Sequence, residues 1–408
     1  MSQGRDMTED APTASREPIF GNVARLTVAQ ALAGANSVVI FATGAVLGAE
    51  LAPSAALATL PISLFVVGMT LCTLPAGAIA RLYGRRIAFL AGAGCGVLVG
   101  LLAALAMLTH AFWLFCLATT FGGAYAAVVL SFRFAAAEGV PPERRARALS
   151  IVMAGGVVAG VVGPQLVNHT MNLWPAEPYV ITFLAQAAVA LLSAVVLWGV
   201  NLPKPTAAQA AASGEGRPFL EIAAQPRFLV ALTCGAVAYV VMNFLMTAAP
   251  LAMKICGLPP EASNLGIQWH VIAMYAPSFF TGALIARFGA PAVVAAGLAL
   301  LGVSVAAALT GIDVAHFWLS LILLGLGWNL AFVGASTLVL ECHRPEEAAR
   351  VQSRYDMIVF GLVAAGSFSS GGLLTAFGWT MVLWVSLLPL VAACVVLALA
   401  PRRAEAAS

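Results

Sequence analysis

Charge is scarce in this sequence. Asp, Glu, Lys and Arg make up 9% of the 408 residues and hydrophobic residues 61%, which leaves too little polar surface to coat a water-soluble fold of this size. A large soluble protein with many buried helices is thereby set aside. No Asp or Glu falls near the middle of any predicted apolar span. Cysteine offers no ligand set: Cys72, Cys95, Cys116, Cys234, Cys256, Cys342 and Cys394 are scattered without CxxC or other metal spacing and read as core filler. The GxxxxGK[ST] loop that cradles phosphates is missing, which argues against an ATP-driven pump. HExxH, a polar GxSxG and paired intramembrane aspartates are also missing, which argues against a membrane-embedded enzyme. No cofactor or metal is expected. Alternation at period two is absent as well, so a β-barrel is not the way this chain satisfies its backbone in lipid.

Long apolar runs are what remains. Charged and polar clusters interrupt them at intervals of about 20–35 residues, and a helix rising about 1.5 Å per residue needs about 20 residues to cross a bilayer. Twelve spans are predicted, at 22–48, 54–80, 87–107, 112–136, 148–168, 178–200, 227–252, 265–286, 291–311, 315–340, 352–376 and 378–400. Residues 1–19 are polar, carry both signs and lack the apolar core of a cleavable signal peptide, so a cytoplasmic tail is expected over 1–21. Residues 401–408 read as a second one. With both termini cytoplasmic, that side collects Arg81, Arg85, Arg86, Arg144, Arg145, Arg147, Lys204, Arg217, Arg227, Arg287, Arg344, Arg350 and Arg354, against Lys254 alone on the other. Basic loops resist translocation, so this bias predicts the orientation. The net charge of +3 belongs to those loops and does not indicate a nucleic-acid partner.

The chain repeats itself. EGVPPERRARALS at 138–150 returns as ECHRPEEAARVQS at 341–353, with Glu138, Pro142, Glu143, Ala146, Arg147 and Ser150 falling on Glu341, Pro345, Glu346, Ala349, Arg350 and Ser353. Gly77 and Gly84 around AIARLY are echoed by Gly282 and Gly289 around ALIARF. Tyr125 lands on Trp328, Gly122 on Gly325 and Gly163 on Gly366. Two parallel six-helix halves follow, at 22–200 and 227–400, joined by a cytoplasmic linker at 201–226 that is rich in Ala, Pro and Gly.

These residues resemble the major facilitator superfamily over nearly the whole chain after the N-terminal tail. Gly77, Gly84, Arg85 and Arg86 match the G-x-x-x-D-R/K-x-G-R/K-R/K loop after span two, whereas Arg81 stands where the family has its acid and Leu82 where it has a base. In the fifth span Gly155, Gly156, Gly160, Gly163 and Pro164 resemble part of the glycine-rich motif of antiporter members, and small residues four apart also serve close packing alone. The resemblance implies an all-α membrane protein of twelve transmembrane helices in two pseudo-symmetric halves, with spans one, four, seven and ten lining a central site. It also implies an acid ending spans four and ten, the positions of Glu138 and Glu341.

Polar residues inside spans are therefore the candidates for substrate contact: Asn36, Asn243 and Asn329, the matched aromatics Tyr125 and Trp328 as two walls of a slot, and Gln268 with His270, Tyr275 lying further in. For each Asn, and for Gln186, helix–helix hydrogen bonding is the rival role; for His270 it is a contact with a neighbouring helix. The candidate gating charges are Arg81, Arg85, Arg86, Arg133, Glu138, Arg147, Arg287, Glu341, Arg350 and Asp356. Glu138 is expected to pair with Arg81, Arg85 or Arg147, and with Arg133 about one turn away; Glu341 with Arg287 or Arg350; Asp356 with Arg354 or Arg133. Solvated loop caps worth about 0–1 kcal/mol per pair are the bland alternative.

The expected function is secondary transport of a small organic solute across an inner membrane by alternating access, by a monomer whose partners are the solute, the bilayer and, as the resemblance implies, protons. Facilitated diffusion stays open. Few charges and several aromatics suit a neutral heteroaromatic compound, such as the vitamin riboflavin, or a hydrophobic drug for efflux. A transporter-like sensor or assembly protein without turnover is the rival from another class.

Overall fold

The computed structural model describes residues 17–54, 57, 60–138, 140–202 and 216–399. The tail through residue 16, the linker stretch 203–215 with Lys204, and the tail at 401–408 lie outside the described residues. Spans one to six are Glu17–Leu51, Leu60–Tyr83, Arg85–Leu108, Phe112–Ala137, Pro142–Thr170 and Val180–Trp198. A short helix, Phe219–Ala223, leads into span seven, Pro226–Ile255. Span eight is broken into Pro260–Tyr275 and Ser278–Phe288, and spans nine and ten are Ala290–Leu309 and Val314–Leu340. One continuous run, Ala348–Ala398, is divided by Gly378 (φ 80°) into spans eleven and twelve. Eleven described helices are long and apolar enough to cross a membrane, and the helix from Ala348 to the break at Gly378 completes two sets of six.

Three departures from the sequence reading have local causes. Pro142 sits in the first turn of span five, where its missing N–H costs nothing, so the charged stretch read as a loop is the start of the helix. Pro345 starts a single 3-10 turn over Pro345–Glu347 before span eleven in the same way. Pro277 breaks span eight, and Asn329 of span ten donates to the Met274 carbonyl at 2.7 Å, beside that break.

Burial separates the centre of the bundle from its rim. In span four 72% of the most apolar window is inside the protein, and in span twelve 28%; a rim helix leaves most of its surface to lipid. The halves meet where span two lies along span eleven and span five along span eight. At one end of the bundle, which carries the arginine-rich loops, these meetings follow the repeat. A Cβ on Gly77 would lie 2.4 Å from Ser353 Cβ and 3.2 Å from the Ala349 carbonyl, and one on Gly282 would lie 2.7 Å from Arg147 Cα and 3.0 Å from the Ala146 carbonyl. The repeated glycines thus receive the repeated loop residues of the opposite half. Their partners Gly84 and Gly289 both hold positive φ (91° and 82°) at the turns into spans three and nine, a conformation that a side chain would strain.

Candidate substrate cavity and the charged contact between halves

One face of span one carries Gln30, Gly34, Ser37, Val38 and Phe41, and one face of span seven carries Tyr239, Met242, Asn243 and Met246. Both sets follow helical three- and four-residue spacing, so each helix presents a stripe. The stripes face a common cavity with about 800 Å³ of space free of atoms, completed by residues from spans two, four, five, eight and eleven. Its lining contains aromatics from both halves, four methionines and the amides of Gln30 and Asn243, with no charged side chain. Phe41 meets Phe65 edge-on at 5.2 Å on the N-terminal side. Opposite them Tyr239 packs edge-on at 5.6 Å from Trp328, 5.2 Å from Phe332 and 5.6 Å from Phe360, and Tyr275 lies 5.9 Å from Trp328. Gly156 of span five makes room for Tyr275, since a Cβ there would fall 2.4 Å from the tyrosine ring.

Of the seven substrate candidates, Asn243 lies in this lining. Asn36 points elsewhere: Gln186 Nε2 donates to its Oδ1 at 2.5 Å, tying span one to span six. It stands one residue, about 100° of helix, off the Gln30–Ser37–Phe41 stripe. Tyr125 is buried against Gly96 within its own half, and Trp328 stacks on Phe332 at 5.1 Å behind the two tyrosines. The two therefore do not face each other as walls of a slot; Tyr239 and Tyr275 take that place on the C-terminal side, and span ten supports the cavity from behind. Asn329 is occupied by the break in span eight, donating also to Ser278 Oγ at 2.6 Å and accepting from Thr281 Oγ1 at 2.8 Å. His270 is buried between spans eight and ten, its Nδ1 2.7 Å from the Leu321 carbonyl. Gln268 is half-buried outside the lining.

The gating candidates divide similarly. Arg133, fully buried, donates from Nη2 to Asp356 Oδ1 at 2.5 Å and from Nε to Ser336 Oγ at 3.2 Å, crossing from span four to spans ten and eleven. It also donates to the Leu130 carbonyl, and its guanidinium lies over the rings of Phe134 and Phe332 at 4.2 and 4.8 Å. Its partner is thus Asp356 and not Glu138, which sits five residues on, about 140° around the helix. Glu138 pairs with Arg85 instead, accepting from Nε at 2.7 Å. Arg85 reaches across the halves, donating to Gln352 Oε1 at 2.6 Å. Gln352 Nε2 in turn lies 3.1 Å from His343 Nε2. Burial pushes the His343 imidazole below its ordinary value, with the Arg85 charge adding to the effect, so its neutral form accepts that amide hydrogen.

Glu341 pairs with Arg227 at 2.5 Å, not with Arg287 or Arg350; Arg227 begins span seven of the same half and is nearer than either. Arg350 donates to the Arg217 carbonyl at 2.6 Å, Arg287 lies over Phe288 and Arg86 over Trp198. Arg81 is half-buried and Arg147 exposed, and neither has an ion-pair partner among the described residues. An unexpected ion pair fixes the end of the linker: Arg217 grips buried Glu347 through Nε at 3.1 Å and Nη2 at 2.8 Å. Those hydrogen bonds, with one from the Arg344 amide at 2.9 Å, hold the Glu347 carboxyl down at about 2.

Two repeated bundles around a central uncharged cavity, held together at one end by buried charge, have the architecture of a secondary carrier. The chain belongs to the Major Facilitator Superfamily, whose model matches residues 26–276 and 231–408. It is 44% identical over 387 residues to the riboflavin transporter RfnT of Brucella anthropi, covering 94% of this chain and 97% of that one. In fold it is similar to the E. coli fucose:proton symporter FucP, with a TM-score of 0.72 at 14% identity over 94% of this chain and 98% of that one. It is equally similar to the human organic anion transporter MFSD10, with a TM-score of 0.72 at 14% identity over 93% and 99%. The protein is a membrane-embedded secondary transporter of a small molecule.

Proposed function

We propose that the chain carries a flat, uncharged heteroaromatic solute across the membrane, and that riboflavin, the substrate named for the Brucella anthropi relative, belongs to that class. The observation that carries this reading is the lining itself: aromatic and amide side chains from both halves and no charged group. Rings stack on such walls, whereas a phosphorylated or carboxylated solute would lose its hydration with no cation to replace it. The halves 22–200 and 227–400 rock about the cavity, with the arginine-rich loops and both termini on the cytoplasmic side of an inner membrane. One chain holds the whole cavity, so a monomer suffices. The Arg133–Asp356 pair and the Arg85–Gln352 contact close the cytoplasmic end in one state and part in the other; a contact biases the exchange only through that difference. A driving proton would act on these carboxylates, Asp356 or Glu138, and not within the substrate cavity.

Purified protein in liposomes tests the reading. Saturable riboflavin entry above protein-free liposomes is expected, with competition by the ribityl-free flavin lumiflavin, none by a sugar phosphate, and at least a tenfold loss in Tyr239→Ala. Absence of riboflavin entry, or equal competition by the sugar phosphate, contradicts it. The same assay with and without a pH gradient separates proton-driven from facilitated flux.

A further inference from the structure

Two side-chain amides of the cavity lining have no partner. Gln30 is 1% exposed and Asn243 4% exposed, yet Gln30 Oε1 and Asn243 Nδ2 find no hydrogen bond among the described residues. An amide buried in this way loses free energy unless something completes it, and native proteins rarely leave such groups unmatched. Gln186 Oε1 is open as well, though its Nε2 donates to Asn36. Asn36 is tied to Gln186, and Asn329 to Met274, Ser278 and Thr281; Gln30 and Asn243 alone among these line the cavity. They also come from opposite halves, spans one and seven.

We infer that Gln30 and Asn243 are the specificity-determining pair of the cavity, reading the hydrogen-bonding edge of an imide or lactam ring. This deepens the substrate class proposed above and rests on it. Neither side chain makes any hydrogen bond among the described residues, so each amide offers an acceptor oxygen and a donor nitrogen. A ring edge with an N–H beside a C=O is their complement: the N–H donates to one amide oxygen and the carbonyl accepts from the other amide's nitrogen. The pyrimidine edge of a flavin has this pattern, with N3–H between two carbonyls, while its tricyclic body falls between the Phe41–Phe65 and Tyr239–Tyr275 sides. An edge held by one amide from each half also bridges the halves, so the ligand that satisfies both atoms is the one that draws them together. Such a site rejects an analogue lacking the donor far more strongly than one differing in apolar bulk, because the analogue leaves the buried amide open.

The test is quenching of flavin fluorescence by the purified full chain, titrated with riboflavin and with 3-methylriboflavin, which lacks the N3–H, on wild type, Gln30→Leu and Asn243→Leu. Wild type is expected to bind riboflavin at least tenfold more tightly than the methylated compound, and each leucine variant to bring the ratio to within about threefold of one. If wild type binds both flavins equally, or if the variants keep its ratio, the edge-reading pair is overturned while the flavin class stands. That first comparison needs no variant to fold. If wild type binds neither flavin, the substrate class itself falls, and this inference with it.

Discussion

Arg133 and Asp356 put two full charges where lipid-embedded protein can least support them. The guanidinium spends its donors on Asp356, Ser336 and the Leu130 carbonyl and rests against two phenylalanine rings, so its charge is dispersed over several neighbours rather than balanced by one. A buried pair of this kind contributes less to stability than the loss on breaking it suggests, because desolvation offsets most of the attraction. Arg133→Met, which strands the Asp356 carboxylate, is expected to destabilise by about 3–5 kcal/mol. Arg133→Met combined with Asp356→Leu should recover most of that in a thermal melt while its transport rate stays altered. If the double variant melts no higher than the single one, the pair is a structural staple and not a device that tells two states apart. Little at this scale was legible in the sequence. Polar residues inside spans could be found by composition, but which way each points depends on register: Gln30 and Asn36 are six residues apart and face different neighbours. The spacing of Gln30, Ser37 and Phe41, and of Tyr239, Asn243 and Met246, was the available signal, and matching Asn36 to Asn243 through the repeat concealed it.

At the scale of elements the sequence was a better guide. Continuous apolar runs give the helices, and lipid leaves their backbones no alternative; charge bias and proline placement shift the ends by a few residues, as at Pro142. The break in span eight was not anticipated, because a proline in an apolar run does not reveal that a distant Asn329 will bond beside the break. Nor could spacing predict that the linker's last residues dock on the 3-10 turn before span eleven, where Arg217 meets Glu347 across 130 positions. That anchor carries a pH signature. Glu347 titrates at about 2 in the folded protein against an ordinary 4.5, so the native state binds this proton less readily than the unfolded chain. Its stabilising contribution is present above about pH 4.5 and fades as pH falls toward 2. Glu347→Gln is therefore expected to lower the melting temperature at pH 7, with the gap to wild type narrowing toward pH 3. A gap independent of pH would mean that packing, and not the ionised carboxylate, holds the linker end.

The whole molecule is two copies of one plan that have diverged where they touch. Gly77 receives Ala349 and Ser353, and Gly282 receives Ala146 and Arg147, so the shape of the closed end is symmetric. Its charge is not: the repeat places Ser336 opposite Arg133, and Met153 opposite Asp356. The buried pair thus belongs to the crevice between spans two, four and eleven, while Asn329, Ser278 and Thr281 fill the counterpart with neutral hydrogen bonds. The two-half plan was legible because six of thirteen residues repeat where spans five and eleven begin; the asymmetry was not, because the buried pair rests on contacts between residues more than 200 positions apart. The most direct measurement of the central claim is the distance between spin labels at exposed Tyr83, which ends span two, and Glu346, in the 3-10 turn that leads into span eleven on the opposite half, read by double electron–electron resonance with native cysteines replaced. The account predicts a short-distance population in the parent protein that gives way to a longer one in Asp356→Asn. An identical distribution in the two proteins would contradict it.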